Sequence, residues 1–183
     1  MKIVISIDSF KGSLSSMEAG NAVAAGIHRV NPQTEVVIKP LADGGEGTVS
    51  ALIEGMNGQE VTIPVTGPLE EKVQATYGVI ADQKLAVIEM SEAAGLTLVP
   101  PAQRNPFFTT TYGVGELILD AAEKGCRHFI IGIGGSATND GGAGMLQALG
   151  FDLLDANEKP IALGGQGLAE LKEIRCDRVP EVL

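Results

Sequence analysis

The stretch Gly132 to Met145, GIGGSATNDGGAGM, constrains this chain most: six of its fourteen residues are glycine, with Ser136, Thr138, Asn139 and Asp140 set among them. The apolar run Phe129 to Ile133 precedes it, and Ala143, Met145, Leu146 and Leu149 follow at helical spacing. The glycines therefore form a turn from a strand into a helix. Glycine lacks Cβ and tolerates φ > 0, so backbone there can approach an anion and aim free N–H groups at phosphate. A turn that only packs a helix on a sheet does not need four polar side chains between its glycines. Gly134, Gly135, Ser136, Thr138, Asn139, Asp140, Gly141 and Gly142 are accordingly read as a ligand-holding loop.

The Walker A phosphate loop needs a Gly-Lys dipeptide, and no glycine of the 183 residues is followed by lysine. Gly132, Gly134 and Ala137 do fit the G-x-G-x-x-[G/A] dinucleotide fingerprint, with Asp152 or Asp155 as its ribose-binding acid, which makes an NAD-dependent oxidoreductase an alternative. In that fingerprint the helix opens inside the motif, whereas Thr138 to Gly142 here delays any helical pattern.

A chain 44% hydrophobic and 20% charged is long enough for one core and part of a second. A net charge of −10 argues against nucleic acid and anionic membrane as partners, since both reward clustered Lys and Arg. Cys126 and Cys176 lie far apart without metal-ligand spacing, as reduced thiols of a cytoplasmic protein would. The apolar run Ile3 to Ile7 is too short for the core of a signal peptide, and no stretch approaches a membrane span. The expected location is the cytoplasm.

Lys2 to Ile7 reads as a strand, and Ser15 with Glu18 as a capping box opening a helix whose Ala19, Ala22, Val23, Gly26, Ile27 and Val30 share one face. Glu35 to Ile38 is the next strand, and a helix carrying Val49, Leu52 and Ile53 follows the turn at residues 43–47. This βαβα start predicts a parallel sheet over residues 1–60. Glu60 to Val65, Lys72 to Ile80 and Leu85 to Glu89 follow one another closely, as antiparallel strands do, and place a second α/β lobe over residues 61–183. A helix with Leu117, Ile118, Ala121 and Ala122 inward, C-capped by Gly125, then feeds the strand beneath the glycine loop. In the tail, Leu153-Leu154, a turn at Asn157 to Pro160 and a short helix near Leu168 complete the pattern.

Three polar segments each follow a strand and precede a helix: Asp8 to Lys11, Asp43 to Glu46, and Ser136 to Gly142. Ligands of open α/β sheets collect outside those strand ends. Convergence of Asp8, Lys11, Asp43, Glu46, Asn139 and Asp140 would supply acids for Mg²⁺, a cation for developing charge, backbone donors and a base for an acceptor hydroxyl, which is what phosphoryl transfer needs. Taken singly, each acid also fits a turn former or a helix cap. Arg104 can contact a carboxylate or phosphate bidentately. His28 and His128 lack metal-ligand spacing and are read as structural.

With these blocks in view the chain resembles bacterial glycerate kinase of the glycerate 2-kinase type. The likeness rests on Lys2 to Ile5 with Asp8-Ser9-Phe10-Lys11, Ala42-Asp43-Gly44-Gly45-Glu46-Gly47-Thr48, Val65 to Pro68 and Ile88-Glu89-Met90. It continues through Arg104-Asn105-Pro106, Gly113 to Leu117 and the glycine loop, in the family's order. The resemblance implies ATP- and Mg²⁺-dependent phosphorylation of D-glycerate to 2-phosphoglycerate by a two-domain α/β enzyme with a flavodoxin-like, Rossmann-like first domain. It further implies Asp8, Lys11 and Asp43 as catalytic groups, Ser9, Glu46 and Arg104 on substrate, Asp43 and Asp140 on metal, and the Gly134 to Gly142 loop on ATP. Ser6-Ile7 stands where the family commonly has Ala-Pro. Family members continue past the position of Leu183, so this chain is expected to end before the family's fold is complete, to expose apolar edges that favour self-association into a homo-oligomer, and to be inactive alone. A small-molecule-binding fragment without turnover is the remaining alternative.

Overall fold

The computed structural model describes residues 1–10, 13–42, 44–45 and 47–183. Strand β1 (Lys2–Ile7) and strand β2 (Glu35–Pro40) pair in parallel, Lys2 opposite Glu35 through Ile7 opposite Pro40. Both are rich in Val and Ile, whose branched side chains suit the pleated surface. Helix α1 (Ser16–Val30) crosses between them and opens on the predicted capping box. Ser15 Oγ accepts the Glu18 N–H at 3.2 Å, and the Glu18 carboxylate accepts the Ser15 N–H at 2.8 Å.

Only the start of α1 is buried, through Ser16, Ala19 and Gly20. A Cβ on Gly20 would stand 2.6 Å from Ile38 Cγ2, so the helix lies close on β2 at that point. Further along the expected apolar face, Val23 and Val30 are exposed, because a sheet of two strands covers only the first turns.

Helix α2 (Thr48–Met56) leads into a second sheet of β3 (Gln59–Thr66), β4 (Lys72–Ile80), β5 (Leu85–Glu89) and β6 (His128–Gly132), in that spatial order. The first three strands are antiparallel and β5 pairs with β6 in parallel. Such a parallel pair needs a crossover, and it runs through α3 (Ser91–Ala94) and α4 (Tyr112–Glu123). On one face of the sheet, Leu117 and Ala121 of α4 pack with Val65, Ala75, Tyr77 and Ile88. On the other face, Val49 and Ile53 of α2 pack with Ile80, Leu85 and Val87. Burial of side chains of that size contributes about 1.5–3 kcal/mol each. Helix α2 precedes residue 60 yet is held by the four-stranded sheet, and β5, sandwiched between the two layers, is buried at all five positions.

The C-cap of α4 is Lys124 and not Gly125, which follows it with φ +95°; β6 then carries the chain to the glycine loop. Ile130 and Ile133 are exposed along this edge strand and the residue after it. Helix α5 (Ala143–Ala148) crosses α4 closely: a Cβ on Gly115 would meet the Met145 carbonyl oxygen at 2.4 Å. The tail adds an antiparallel pair, β7 (Asp152–Leu154) and β8 (Glu173–Arg175), and a 3₁₀ turn at Gly165–Ala169. Among the described residues no helix is long and apolar enough to cross a membrane.

Candidate active site

The end of β1 brings Asp8 and Ser9 beside the end of β2, since the Leu41 N–H donates to the Ile7 carbonyl at 3.0 Å. Asp8 Oδ1 accepts the Ser9 N–H at 2.7 Å. Lys11, Asp43 and Glu46 lie outside the described residues. Gly44 and Gly45, which follow Asp43, are described, and they rest directly on the start of the glycine loop. The Gly134 N–H donates to the Gly44 carbonyl at 3.0 Å. A Cβ on Gly132 would stand 2.5 Å from that same oxygen, and one on Gly134 2.7 Å from Gly45 Cα. Only glycine permits two backbones to meet this closely. Two polar turns about ninety residues apart in sequence are thus in contact at the carboxyl ends of β2 and β6.

A cleft of about 730 Å³ opens between the two sheets, with Ser9 and Ser16 on one wall and Gly47, Thr76, Glu89 and Glu92 on the other. Glu92 Oε2 accepts the Thr76 N–H at 3.1 Å. The glycine loop approaches the cleft through α3: Ser91 lies against Gly135, the Leu96 N–H donates to the Gly135 carbonyl at 2.9 Å, and the Ala137 N–H to the Ala94 carbonyl at 2.9 Å. Within the loop, Ser136 Oγ accepts the Thr138 N–H at 3.1 Å. Gly135, Asn139 and Gly141 are exposed.

Asp140, which the resemblance implies on metal, is buried. It is 1% exposed, and its carboxylate accepts the Thr111 N–H at 2.9 Å, the Thr111 hydroxyl, the Gly142 N–H at 3.0 Å and the Gly144 N–H at 3.2 Å. A carboxylate offers about four acceptor positions, and four protein donors fill them. The side chain clamps the loop to the N-terminal ends of α4 and α5, and Thr111 Oγ1 extends the clamp by accepting the Met145 N–H at 3.0 Å. The Thr109 hydroxyl, likewise buried, donates to the Ala137 carbonyl at 2.7 Å.

Arg104 is engaged with backbone: Nε donates to the Val99 carbonyl and Nη2 to the Leu96 carbonyl, each at 3.2 Å. It braces the segment that hydrogen-bonds Gly135, using two of the five donors of a guanidinium. The dinucleotide alternative loses its geometry, because α5 starts only at Ala143, well after Gly132. Its two candidate ribose acids are also engaged elsewhere, Asp152 with Arg178 and Asp155 with the turn at Asn157 and Lys159.

Glu89 was not singled out from the sequence beyond its place in a matching block. Its carboxylate accepts the Val49 N–H at 2.8 Å and faces the N–H groups of Gly47 and Thr48. Burial pushes its pKa above the ordinary glutamate value, with Glu92 adding to the rise and the three N–H groups opposing it. The available signal was an acid closing a strand, LAVIE, with no polar residue before it.

Two strand-end loops in contact beside an intersheet cleft characterise this α/β chain. The family model for the glycerate kinase family matches residues 3–183. The chain is 54% identical over 174 residues to a glycerate 2-kinase of Escherichia coli, covering 95% of this chain and 46% of the relative. It is 52% identical to a glycerate kinase of Haemophilus influenzae over the same shares. A crystal structure described as glycerate kinase 2 from Salmonella typhimurium LT2 superposes with a TM-score of 0.88 at 52% identity, over 99% of this chain and 49% of that one. The chain belongs to the glycerate kinase family. It spans about half the length of the relatives it matches.

Proposed function

We propose that the protein carrying this chain transfers the γ-phosphoryl group of ATP, with Mg²⁺, to D-glycerate and yields 2-phosphoglycerate. The observation that carries the reading is the direct seating of Gly44 and Gly45 on Gly132 and Gly134 in a member of the glycerate kinase family. It joins Gly44 and Gly45, the sequence neighbours of Asp43 and Glu46, to the loop that offers exposed backbone at Gly135 and Gly141. Phosphoryl transfer is catalysed chiefly by positioning and electrostatic stabilisation, so a fixed juxtaposition of acids and backbone donors is the required arrangement.

In this reading the glycine loop, with Ser136, Thr138 and Asn139, holds the ATP phosphates, while Lys11 neutralises charge on the transferred group. Magnesium keeps most of its waters and needs only one or two carboxylates besides phosphate oxygens. The Mg²⁺ accordingly travels with the nucleotide and takes Asp43, with Asp8 as base for the acceptor hydroxyl. Asp140, its acceptor positions already filled, keeps the loop in shape. Ser9 and Glu46 line the substrate side. Arg104 reaches glycerate with the donors it does not spend on Leu96 and Val99. Location in the cytoplasm and the absence of nucleic-acid or membrane partners follow from the same reading of a small-molecule kinase.

The test is purification of the protein as the cell makes it, incubation with D-glycerate, ATP and Mg²⁺, and ³¹P detection of 2-phosphoglycerate. Asp43→Ala should abolish turnover with the fold intact. Absence of phosphoryl transfer by the wild type, or near-normal kinetics of Asp43→Ala, would overturn the reading or the assignment respectively. The 183-residue chain alone is expected to show no transfer.

A further inference from the structure

Gly47, the N-cap of α2, has φ +90° and supplies no side-chain cap; the Thr48 N–H is met by the Gly45 carbonyl at 3.2 Å. Glu89 takes that place from forty residues away, with its carboxylate on the Val49 N–H at 2.8 Å and near the Gly47 and Thr48 N–H groups. Its backbone is equally committed. Glu89 stands opposite Gly132 in the β5–β6 register, the Met90 N–H donates to the Gly132 carbonyl at 2.9 Å, and Gly132 is the residue on which the Gly44 carbonyl rests.

Gly44 and Gly47 are therefore both held by one structural unit. Gly44 sits on Gly132 and Gly134, and Gly47 to Val49 sit on Glu89, whose strand is paired with Gly132. In the sequence Asp43 precedes Gly44 and Glu46 precedes Gly47. We infer that Glu89 is a positioning residue of the proposed kinase site, capping α2 so that Gly44, Gly45 and Gly47 are held in register with the glycine loop. The inference rests on the functional reading above and adds to it a residue that acts through the turn. A displacement on the order of 1 Å at a positioned catalytic group can cost about a hundredfold in rate.

The test compares wild type with Glu89→Ala, Glu89→Gln and Glu89→Asp in the protein as the cell makes it. Readouts are kcat and KM for D-glycerate and ATP, and amide hydrogen exchange at Thr48 and Val49. Glu89→Ala should accelerate exchange at Val49 and lower kcat at least about tenfold, with KM changed less than about threefold. Glu89→Gln keeps an acceptor oxygen and should restore most of the rate, within about threefold of wild type. Where Ala does not fold, Glu89→Asp, which withdraws the carboxylate by one methylene, should lower kcat about fivefold or more. An Ala variant with accelerated exchange but kcat within twofold of wild type overturns the inference, because the cap would then be purely structural. Unchanged Val49 exchange in Glu89→Ala overturns it as well. A Gln variant as slow as Ala also overturns it, since charge rather than the hydrogen bond would be the acting property. A wild type without glycerate phosphorylation overturns the functional reading itself, whatever the exchange data show, which separates the two failures.

Discussion

Asp140 and Gly134 show how one side chain and one missing side chain hold the same loop. Removing the Asp140 carboxylate leaves the buried N–H groups of Thr111 and Gly144, and the part-buried one of Gly142, without that acceptor. Each unsatisfied buried donor costs about 1–3 kcal/mol. Asp140→Ala should therefore lower stability by roughly 3 kcal/mol or more, read as a shift of the urea midpoint; a loss below about 1 kcal/mol would contradict the clamp. Asn repairs this poorly, because its NH₂ would face donors. Gly134→Ala works through space instead. Its Cβ would meet backbone atoms, Gly45 Cα at 2.7 Å and the Gly44 oxygen at 3.1 Å, so the acidic turn must shift. A kcat reduced about tenfold or more is expected for the intact enzyme, with a modest fall in Tm. Unaltered kinetics would show that contact between the two turns does not set the site.

At the scale of elements, two glycines in helices separate propensity from packing. Gly26 lies mid-helix in α1 with nothing within 4 Å of an added Cβ. Gly26→Ala should stabilise by about 0.5–1 kcal/mol. Gly115 has the same propensity to gain, but its Cβ would meet the Met145 oxygen at 2.4 Å and Ala148 Cβ at 2.7 Å. Overpacking of this kind costs about 1–3 kcal/mol, so Gly115→Ala should destabilise in thermal melts while Gly26→Ala raises Tm. Opposite signs are the expected outcome, and a stabilised Gly115→Ala would mean that α4 and α5 do not cross as described.

The α1 capping box adds a pH-dependent term. Hydrogen bonds from the Ser15 backbone, then from its hydroxyl, hold the Glu18 pKa below its ordinary 4.5. A carboxylate whose folded pKa is depressed contributes stability above the unfolded pKa and loses it as pH falls through the folded one. An NMR titration of the Glu18 carboxyl should find a midpoint below 4.5, and Ser15→Ala should move it back up.

Elements defined by local pattern were readable: the Ser15–Glu18 box, the strands at residues 2–7, 72–80 and 85–89, and the inward face of α4 all lie where residue spacing places them. What covers each element was not. The α1 stripe through Val23 and Val30 is genuine periodicity, but periodicity does not say how wide the facing sheet is. Helix α2 sits on β4 and β5 because of Ile80, Leu85 and Val87, none of which is near it in sequence. The capping role of Glu89 and the clamping role of Asp140 escaped for the same reason, since the Val49 and Thr111 donors are 40 and 29 residues away.

For the whole molecule, net charge and exposed apolar surface pull in opposite directions. A charge of −10 keeps molecules apart at low salt. Against that stand Val4, Val23 and Val30 on and beside the two-stranded sheet, and Ile130 and Ile133 along the open edge of β6. An unpaired strand rich in β-branched residues is a template for pairing with another chain. Screening decides which effect wins: at about 0.15 M salt the Debye length is roughly 8 Å, so repulsion between distant carboxylates is largely lost while edge contacts are untouched. The isolated 183-residue chain should therefore be mostly monomeric at 10 mM salt and should self-associate at 0.3 M, with dye binding to its apolar surface at both. Ile130→Lys places a charge on the edge where the side chain is 44% exposed, and should suppress association without unfolding. Sedimentation velocity at the two salt concentrations checks both statements. Association that weakens with salt, or that Ile130→Lys leaves intact, would assign the contact to ion pairs or to the β1–α1 face instead of the β6 edge.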